Sequence, residues 1–412
     1  MAKIIGALGL ALVYTIYYPG GDTTEYFRNV TSLEGLALFD FDSFWFVITE
    51  PVSNANMLFF NSDTGYAVYC RDPKAWAVVK LALPIVLISM QSFVATTIMC
   101  ATISFVGIWK LYKVFVLEFP ELKKEMAISF LFIPSVFFWG SGLLKDTFTL
   151  SALGFFFASL YTLIVRKEKI WQSIIVIFIS AYIIISIKPY IMVGLTPALI
   201  IWLVQFTVGK INIKTVRAIA IPFVFIMGVG CAYLLMIFMG EALAEYQVDS
   251  ILEKAKITQR DLKSDYYQGN SFDIGDFEAN VPSIIKKFPI ATFSAIFRPL
   301  IIESNNFVMF FSGLENLILL IFAIRVLILV RVYGIFKYFF TNHILTFSLF
   351  FSLFFAFSVG LSTSNFGSLV RYKIPSIPYF VAALYIIRYL KLKEIKVRQE
   401  MLGDYVDPSK IV

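Results

Sequence analysis

The sequence has one histidine and three cysteines in 412 residues, and only 15% of its residues are charged. Each scarcity excludes a kind of chemistry. Cys70, Cys100 and Cys231 stand far apart, so they supply neither a disulfide framework nor the paired spacing of a zinc site. The histidine, His343, follows a polar Thr-Asn pair and reads as a turn residue rather than a ligand. A mechanism built from this chain therefore draws on carboxylates, cations and hydroxyls. Runs of Lys or Arg interleaved with aromatics are missing from the polar segments, which argues against a nucleic-acid partner.

What the chain does have is apolar sequence. Hydrophobic residues make up 59% and the mean hydropathy is +0.79, where soluble domains run at about 45–50% apolar. They arrive in blocks of about 17–25 residues, the length of a helix crossing a hydrocarbon core of ~30 Å. Continuous runs such as ILTFSLFFSLFFAFSVGL (344–361) exclude a membrane β-barrel, whose strands alternate over about ten residues. The expected class is an all-α polytopic membrane protein.

Charge sets the expected topology, because Lys and Arg collect in cytoplasmic loops. The dense basic clusters are WKLYKVFVLEFPELKKE (109–125), VRKEK (165–169), VGKINIKTVR (208–217), the Arg325, Arg331 and Lys337 group, and RYLKLKEIKVRQE (388–400). Placing all of them inside gives about ten transmembrane helices with both termini cytoplasmic. The first apolar stretch is read as an uncleaved span ending at Tyr17 and Tyr18. Residues 75–115 cross once, with 75–90 along the interface, and 217–239 form another span. Residues 19–76 become a first extracytoplasmic loop carrying short helices, and residues 240–305 a large later one. WGSGLLKDT (139–147) becomes the outer tip of a hairpin. No internal repeat or low-complexity tract is visible, so residues 1–412 read as one membrane domain. The expected location is the cytoplasmic membrane of a bacterium.

In this topology Lys145, Lys188, Arg298, Arg371 and Lys373 fall at the outer ends of spans, where cations are normally sparse. Snorkelling towards lipid phosphates accounts for any single one. Four hairpins presenting cations at one face point to a shared anionic ligand, and the Arg fork and Lys point charge suit a phosphate. With no usable histidine, a general base has to be Asp or Glu. Asp22 comes first, because Gly20-Gly21 just beyond a span end lets backbone and substrate approach closely. Asp22 with Glu25 equally reads as a capping box that opens a helix. Asp40 and Asp42 follow, as outer-loop acids that are commonly just solvated. Glu315-Asn316 lies inside the apolar FVMFFSGLENLILLIF (307–322), where a charge costs about 2.5–3.5 kcal/mol on insertion scales. Such a pair is expected to face the bundle interior, held by a cation or touching substrate.

Three stretches carry a family resemblance. RYKIPSIPYF (371–380) resembles the R-[FY]-x-x-P-x-x-P element near the last spans of GT-C glycosyltransferases. IPSVFFWGSGLLKDTFTL (133–150) looks like the early hairpin of GT-C mannosyltransferases, with Lys145-Asp146 where those enzymes have Ser-Glu. YYPGGDTTEYF (17–27) is similar to the position where the GT-C fold carries its catalytic carboxylate. The resemblance implies a large first outer loop bearing the acid, and transfer of sugar from a polyprenyl-phosphate donor outside the cytoplasm. It adds Asp146 and Tyr372 to the candidate site. The implied partners are that donor and membrane lipids; a metal site is not indicated, and a divalent cation stays open. A polysaccharide polymerase or ligase acting on lipid-linked glycans would want the same outer cations and late loop. A transporter or flippase for a lipid-linked sugar fits less well, lacking a repeat and matched Gly/Pro-broken helices.

Overall fold

The structure, a computed structural model, describes residues 1–18, 20–208, 257, 271–275, 277–278 and 281–402. Among these the chain is helical, and the one extended contact is an isolated bridge between Ser271 and Asn365. Six helices are long and apolar enough to cross a membrane: Phe93–Glu118, Lys145–Arg166, Ile170–Ile187, Pro189–Thr207, Phe307–Thr341 and His343–Ser362. A seventh is available if Ala2–Tyr17 and Asp22–Phe39, bent by 93°, count as one span. The chain is an all-α, multi-pass membrane protein. The span expected at 217–239, Cys231 and most of the loop expected at 240–305 lie outside the described residues.

Contacts divide the chain into two compact units, Met1–Leu117 with Phe130–Val193, and Glu118–Ser129 with Gly194–Val412. The first is built from α1 (Ala2–Leu12, continued by a π-helical turn Val13–Tyr17), α2 (Asp22–Phe39), α3 (Phe41–Thr49), α4 (Pro73–Ile88) and α5 (Phe93–Glu118). It continues through α6 (Lys123–Leu131), which straddles the boundary, α7 (Pro134–Trp139), α8 (Lys145–Tyr161, continued by a π-helical turn Thr162–Arg166) and α9 (Ile170–Ile187). α10 (Pro189–Val208) leads into the second unit.

Residues 19–76 are no slack loop. α2 lies on α4, and Tyr26, Leu33, Leu36, Val47, Trp76 and Val79 share one buried cluster. Trp76 Nε1 donates to the Val47 carbonyl at 3.2 Å, and Asn29 Oδ1 accepts the Tyr69 N–H at 2.7 Å. α4 and α5 are separate helices because Met90 and Gln91 sit at φ 50° and 55°, in the left-handed region. α5 and α8 touch backbone to backbone: a Cβ on Gly107 would come within 2.3 Å of the Ser151 carbonyl oxygen, and one on Gly154 equally close to that of Gly107. Small residues permit such approach where lipid offers no hydrophobic drive.

One sequence expectation needs correction. In the hairpin expected between the basic clusters at 109–125 and 165–169, the first arm is not one continuous helix but α6 and α7, interrupted before Pro134; the proline pushes Ile133 to an extended ψ of 121°. WGSGLLKDT, its expected tip, is buried from Trp139 to Leu144. Gly142 lies against Leu10 of α1, and the Gly140 carbonyl accepts from Lys3 Nζ and, at 2.9 Å, from Ser104 Oγ.

The second unit contains α11 (Val281–Lys286), α12 (Phe288–Phe297), α13 (Phe307–Thr341), α14 (His343–Ser362), α15 (Phe366–Tyr372) and α16 (Ile377–Leu402). α13 is kinked at Arg331, whose φ of 59° and ψ of 162° are not helical. α12 and α14 meet at Gly360, where a Cβ would fall 2.0 Å from the Ala291 carbonyl oxygen. Phe347 and Phe351 set their edges or faces against Tyr379 at 5.6 and 5.2 Å between centroids, tying α14 to α16. The apolar stretch after Pro375 forms the first part of α16, whose Arg388, Lys391, Lys393 and Glu394 keep it out of the six apolar helices.

Candidate functional site

A short turn joins α8 to α9, so the two helices run antiparallel and the start of α8 meets the end of α9. Three of the sequence candidates gather there. Lys188, at the C-terminal end of α9, donates from Nζ to Asp146 Oδ1 at 2.5 Å, and the two side chains are 6% and 1% exposed. Lys145, the first residue of α8, lies 3.4 Å from Asp72 Oδ2, and here the side chains are 23% and 44% exposed. Asp72 was not anticipated. Its sequence context, Asp before Pro73, signals a helix start, and Oδ1 indeed caps α4 by accepting the Lys74 N–H at 2.9 Å. Nothing local reveals that its other oxygen meets Lys145. The cluster thus sets two carboxylates against two ammoniums, one pair sealed and one reachable from solvent, at the positive end of the α8 dipole.

Asp22 opens α2 and is half-buried. The capping box is not made. Gly21 at φ 128° occupies the N-cap, and Thr24 Oγ1 donates to its carbonyl at 2.7 Å. Glu25 instead pairs with Arg28 at 2.7 Å on an open surface, a contact worth about 0–1 kcal/mol. Asp40 stands at the other end of α2, 18 residues on, which is about 27 Å at 1.5 Å per residue. Asp22 and Asp40 therefore serve different places. Asp40 caps α3, accepting from the Ser43 hydroxyl at 2.5 Å and the Ser43 N–H at 3.2 Å. The Ser43 bonds hold its carboxyl below the ordinary range. Asp42, in the first turn of α3, is exposed.

In the second unit Lys373 and Arg298 are tied into the fold. Lys373 is 1% exposed, and its Nζ donates to Asn316 Oδ1 at 2.7 Å and to the Ile296 and Arg298 carbonyls at 3.0 and 3.4 Å. It satisfies the last carbonyls of α12 while holding the turn between α15 and α16 against α13. Asn316 returns a bond to the Pro299 carbonyl at 3.0 Å. The polar break in α13 thus meets a cation through Asn316, while Glu315 is half-buried beside it. Arg371 is half-buried in the last turn of α15 and Tyr372 is 38% exposed. Pro375 lies in the turn 373–376 that separates α15 from α16. His343 opens α14, and its Nδ1 accepts from Trp202 Nε1 at 3.2 Å.

Arg298 makes a fork with Glu303: Nε lies 2.9 and 3.1 Å from the two carboxylate oxygens, and a terminal nitrogen meets Oε1 as well. The stacked rings of Phe272 and Phe366 flank its guanidinium at 5.0 and 5.4 Å. Burial pushes the Glu303 carboxyl up, but the Arg298 and Leu300 hydrogen bonds and the Arg298 charge outweigh it, leaving its pKa below the ordinary value. The stabilisation is therefore present above the unfolded glutamate value of about 4.3 and is lost as pH falls through the lower folded value. Glu303→Gln is expected to remove that part of the acid dependence of thermal unfolding. The effect is modest, since both side chains keep about a fifth of their surface exposed. An unchanged acid profile would place the pair's contribution at zero.

Among the described residues no group of three or more His, Cys, Asp or Glu is arranged to hold a metal ion. No protein-family model matches this chain, and neither a curated protein nor a solved structure matches it.

Proposed function

We propose that the chain is a GT-C-like membrane glycosyltransferase, moving a sugar from a polyprenyl-phosphate-linked donor to an acceptor on the extracytoplasmic side. The observation that carries this reading is the double ion pair at the start of α8. Glycosyl transfer needs a carboxylate to take the acceptor's proton and cations to stabilise the departing phosphate oxygens. Lys145 is the reachable cation, held by the half-exposed Asp72 until a phosphate displaces it. The helix N-terminus adds partial positive charge at the same place. The sealed Asp146–Lys188 pair fixes that end of α8. Asp22 is the proposed base, half-buried at the start of α2 just beyond the Gly20-Gly21 turn. Arg371 is proposed as a phosphate contact in its own right.

The test is binding of a short-chain polyprenyl phosphate to the purified wild type, Lys145→Gln, Arg371→Lys and Arg371→Ala. Lys145→Gln is expected to weaken binding about tenfold, the worth of a charge-assisted hydrogen bond. Arg371→Lys keeps the charge and the capacity to snorkel but loses the paired bonds. Phosphate recognition therefore predicts a clear loss, and anchoring to lipid predicts none. Equal affinity in all four proteins would end the proposal.

A further inference from the structure

Two basic clusters remain unused by the proposed chemistry, WKLYK at 109–113 and VRKEK at 165–169. They are more than 50 positions apart in sequence, yet the fold brings them around one cavity of about 550 Å³ between α5, α8 and α9. Lys110, Lys113, Arg166 and Lys169 line it. The carboxylate among its lining residues, Glu168, is engaged with Arg166 at 3.0 Å. Lys110 lies over the Phe155 ring at 4.7 Å, and Lys113 and Lys169 are close enough to act on its charge. Val114, Ala158 and Val176 make part of the wall apolar.

The backbone at the rim is unusual in three consecutive ways. α8 ends in the π-helical turn Thr162–Arg166, and Lys167 and Lys169 both adopt left-handed conformations, at φ 57° and 47°. Non-glycine residues resist that region, and such conformations and π-turns collect where ligands bind. The consequence is that Arg166 and Lys169 line the cavity opposite the lysines of α5. Like charges gathered around a concave, partly apolar space repel one another until an anion enters.

We propose that this cavity binds a phosphate-bearing anion: the head group of an acidic phospholipid, or a soluble phosphate ester. It lies at the far end from Lys145 of a helix, Lys145–Arg166, that is 22 residues long, or about 33 Å. The site is separate from the proposed transfer chemistry and does not depend on it. An acidic lipid would set its head group among the cations and an acyl chain against the valines; a soluble ester would use the cations alone.

The experiment is calorimetric titration of the purified full chain in neutral detergent with dioctanoyl phosphatidylglycerol, dioctanoyl phosphatidylcholine and glycerol phosphate. The variants are Lys110→Gln/Lys113→Gln/Lys169→Gln and the single Lys113→Gln. A control with equal loss of charge, Lys391→Gln/Lys396→Gln/Arg398→Gln, removes cations of α16. Wild type is expected to bind phosphatidylglycerol at least about tenfold more tightly than phosphatidylcholine. The triple variant is expected to lose about a hundredfold, and Lys113→Gln about fivefold, in line with the usual contribution of one cation near an anionic lipid. The α16 control should stay near wild type. Binding of glycerol phosphate with the same lysine dependence would assign the site to a soluble ester; its failure beside tight lipid binding would assign it to a lipid. Lack of preference among the three probes overturns the proposal, as does equal weakening by the control. Thermal unfolding identifies a misfolded triple variant, in which case Lys113→Gln, exposed on α5, decides.

Discussion

Lys188→Met is expected to destabilise the first unit by about 3–5 kcal/mol, the usual consequence of leaving one member of a buried ion pair uncompensated. Asp146 is the group left behind, with 1% of its side chain exposed, so water cannot take over from the ammonium. Asp146→Leu should do comparable harm for the mirror reason. The double variant Asp146→Leu/Lys188→Met is expected to regain most of the loss, because the desolvation penalty goes with the charges. Denaturant unfolding of the four proteins in detergent measures the cycle. A single variant as stable as wild type would mean that the pair is solvated and holds nothing. The double variant also separates structure from function: if the pair only holds the helix ends together, sugar transfer recovers with stability. The proposed function gives the pair only the role of fixing that end of α8, so transfer is expected to recover with stability.

Asp22→Asn is expected to lower turnover by about 10²–10⁴-fold, the range for removing a general base, while folding changes little. Asn serves at a helix start about as well as Asp, and Gly21 keeps the N-cap with Thr24 Oγ1 on its carbonyl. Loss of its charge at the start of α2 then removes about 0.3–1 kcal/mol of dipole interaction. Transfer of labelled sugar by purified protein, with a melting curve beside it, gives both readings. Turnover within a few-fold of wild type would move the base to Asp72, Asp40 or Asp42. Among these Asp40 is the poorest choice, because its carboxyl is occupied by Ser43 and held in its ionised form.

The sequence by itself determined the class of this protein. Apolar blocks of membrane-crossing length with Lys and Arg collected between them leave little choice but helices in lipid, where each backbone group must be satisfied within its own segment. Local chemistry also set several breaks. Gly20-Gly21 separates α1 from α2 and Pro375 lies in the turn before α16, since glycine permits and proline imposes backbone that a helix cannot use. Pro134 was equally legible as a residue, yet the apolar run around it suggested a continuous span, and the break was missed. The role of each polar residue was decided only by tertiary structure. Lys145 meets Asp72 across 73 positions, Lys188 meets Asp146 across 42 and Lys373 meets Asn316 across 57. No periodicity spans such separations. A pattern of apolar positions says which face of a helix is turned inward, but which helix it then faces, and at what height, follows from close approaches such as Gly107 on Ser151 and Gly360 on Ala291. Those contacts set the level of every lysine and carboxylate on the helices that make them, and hence which charge finds a partner.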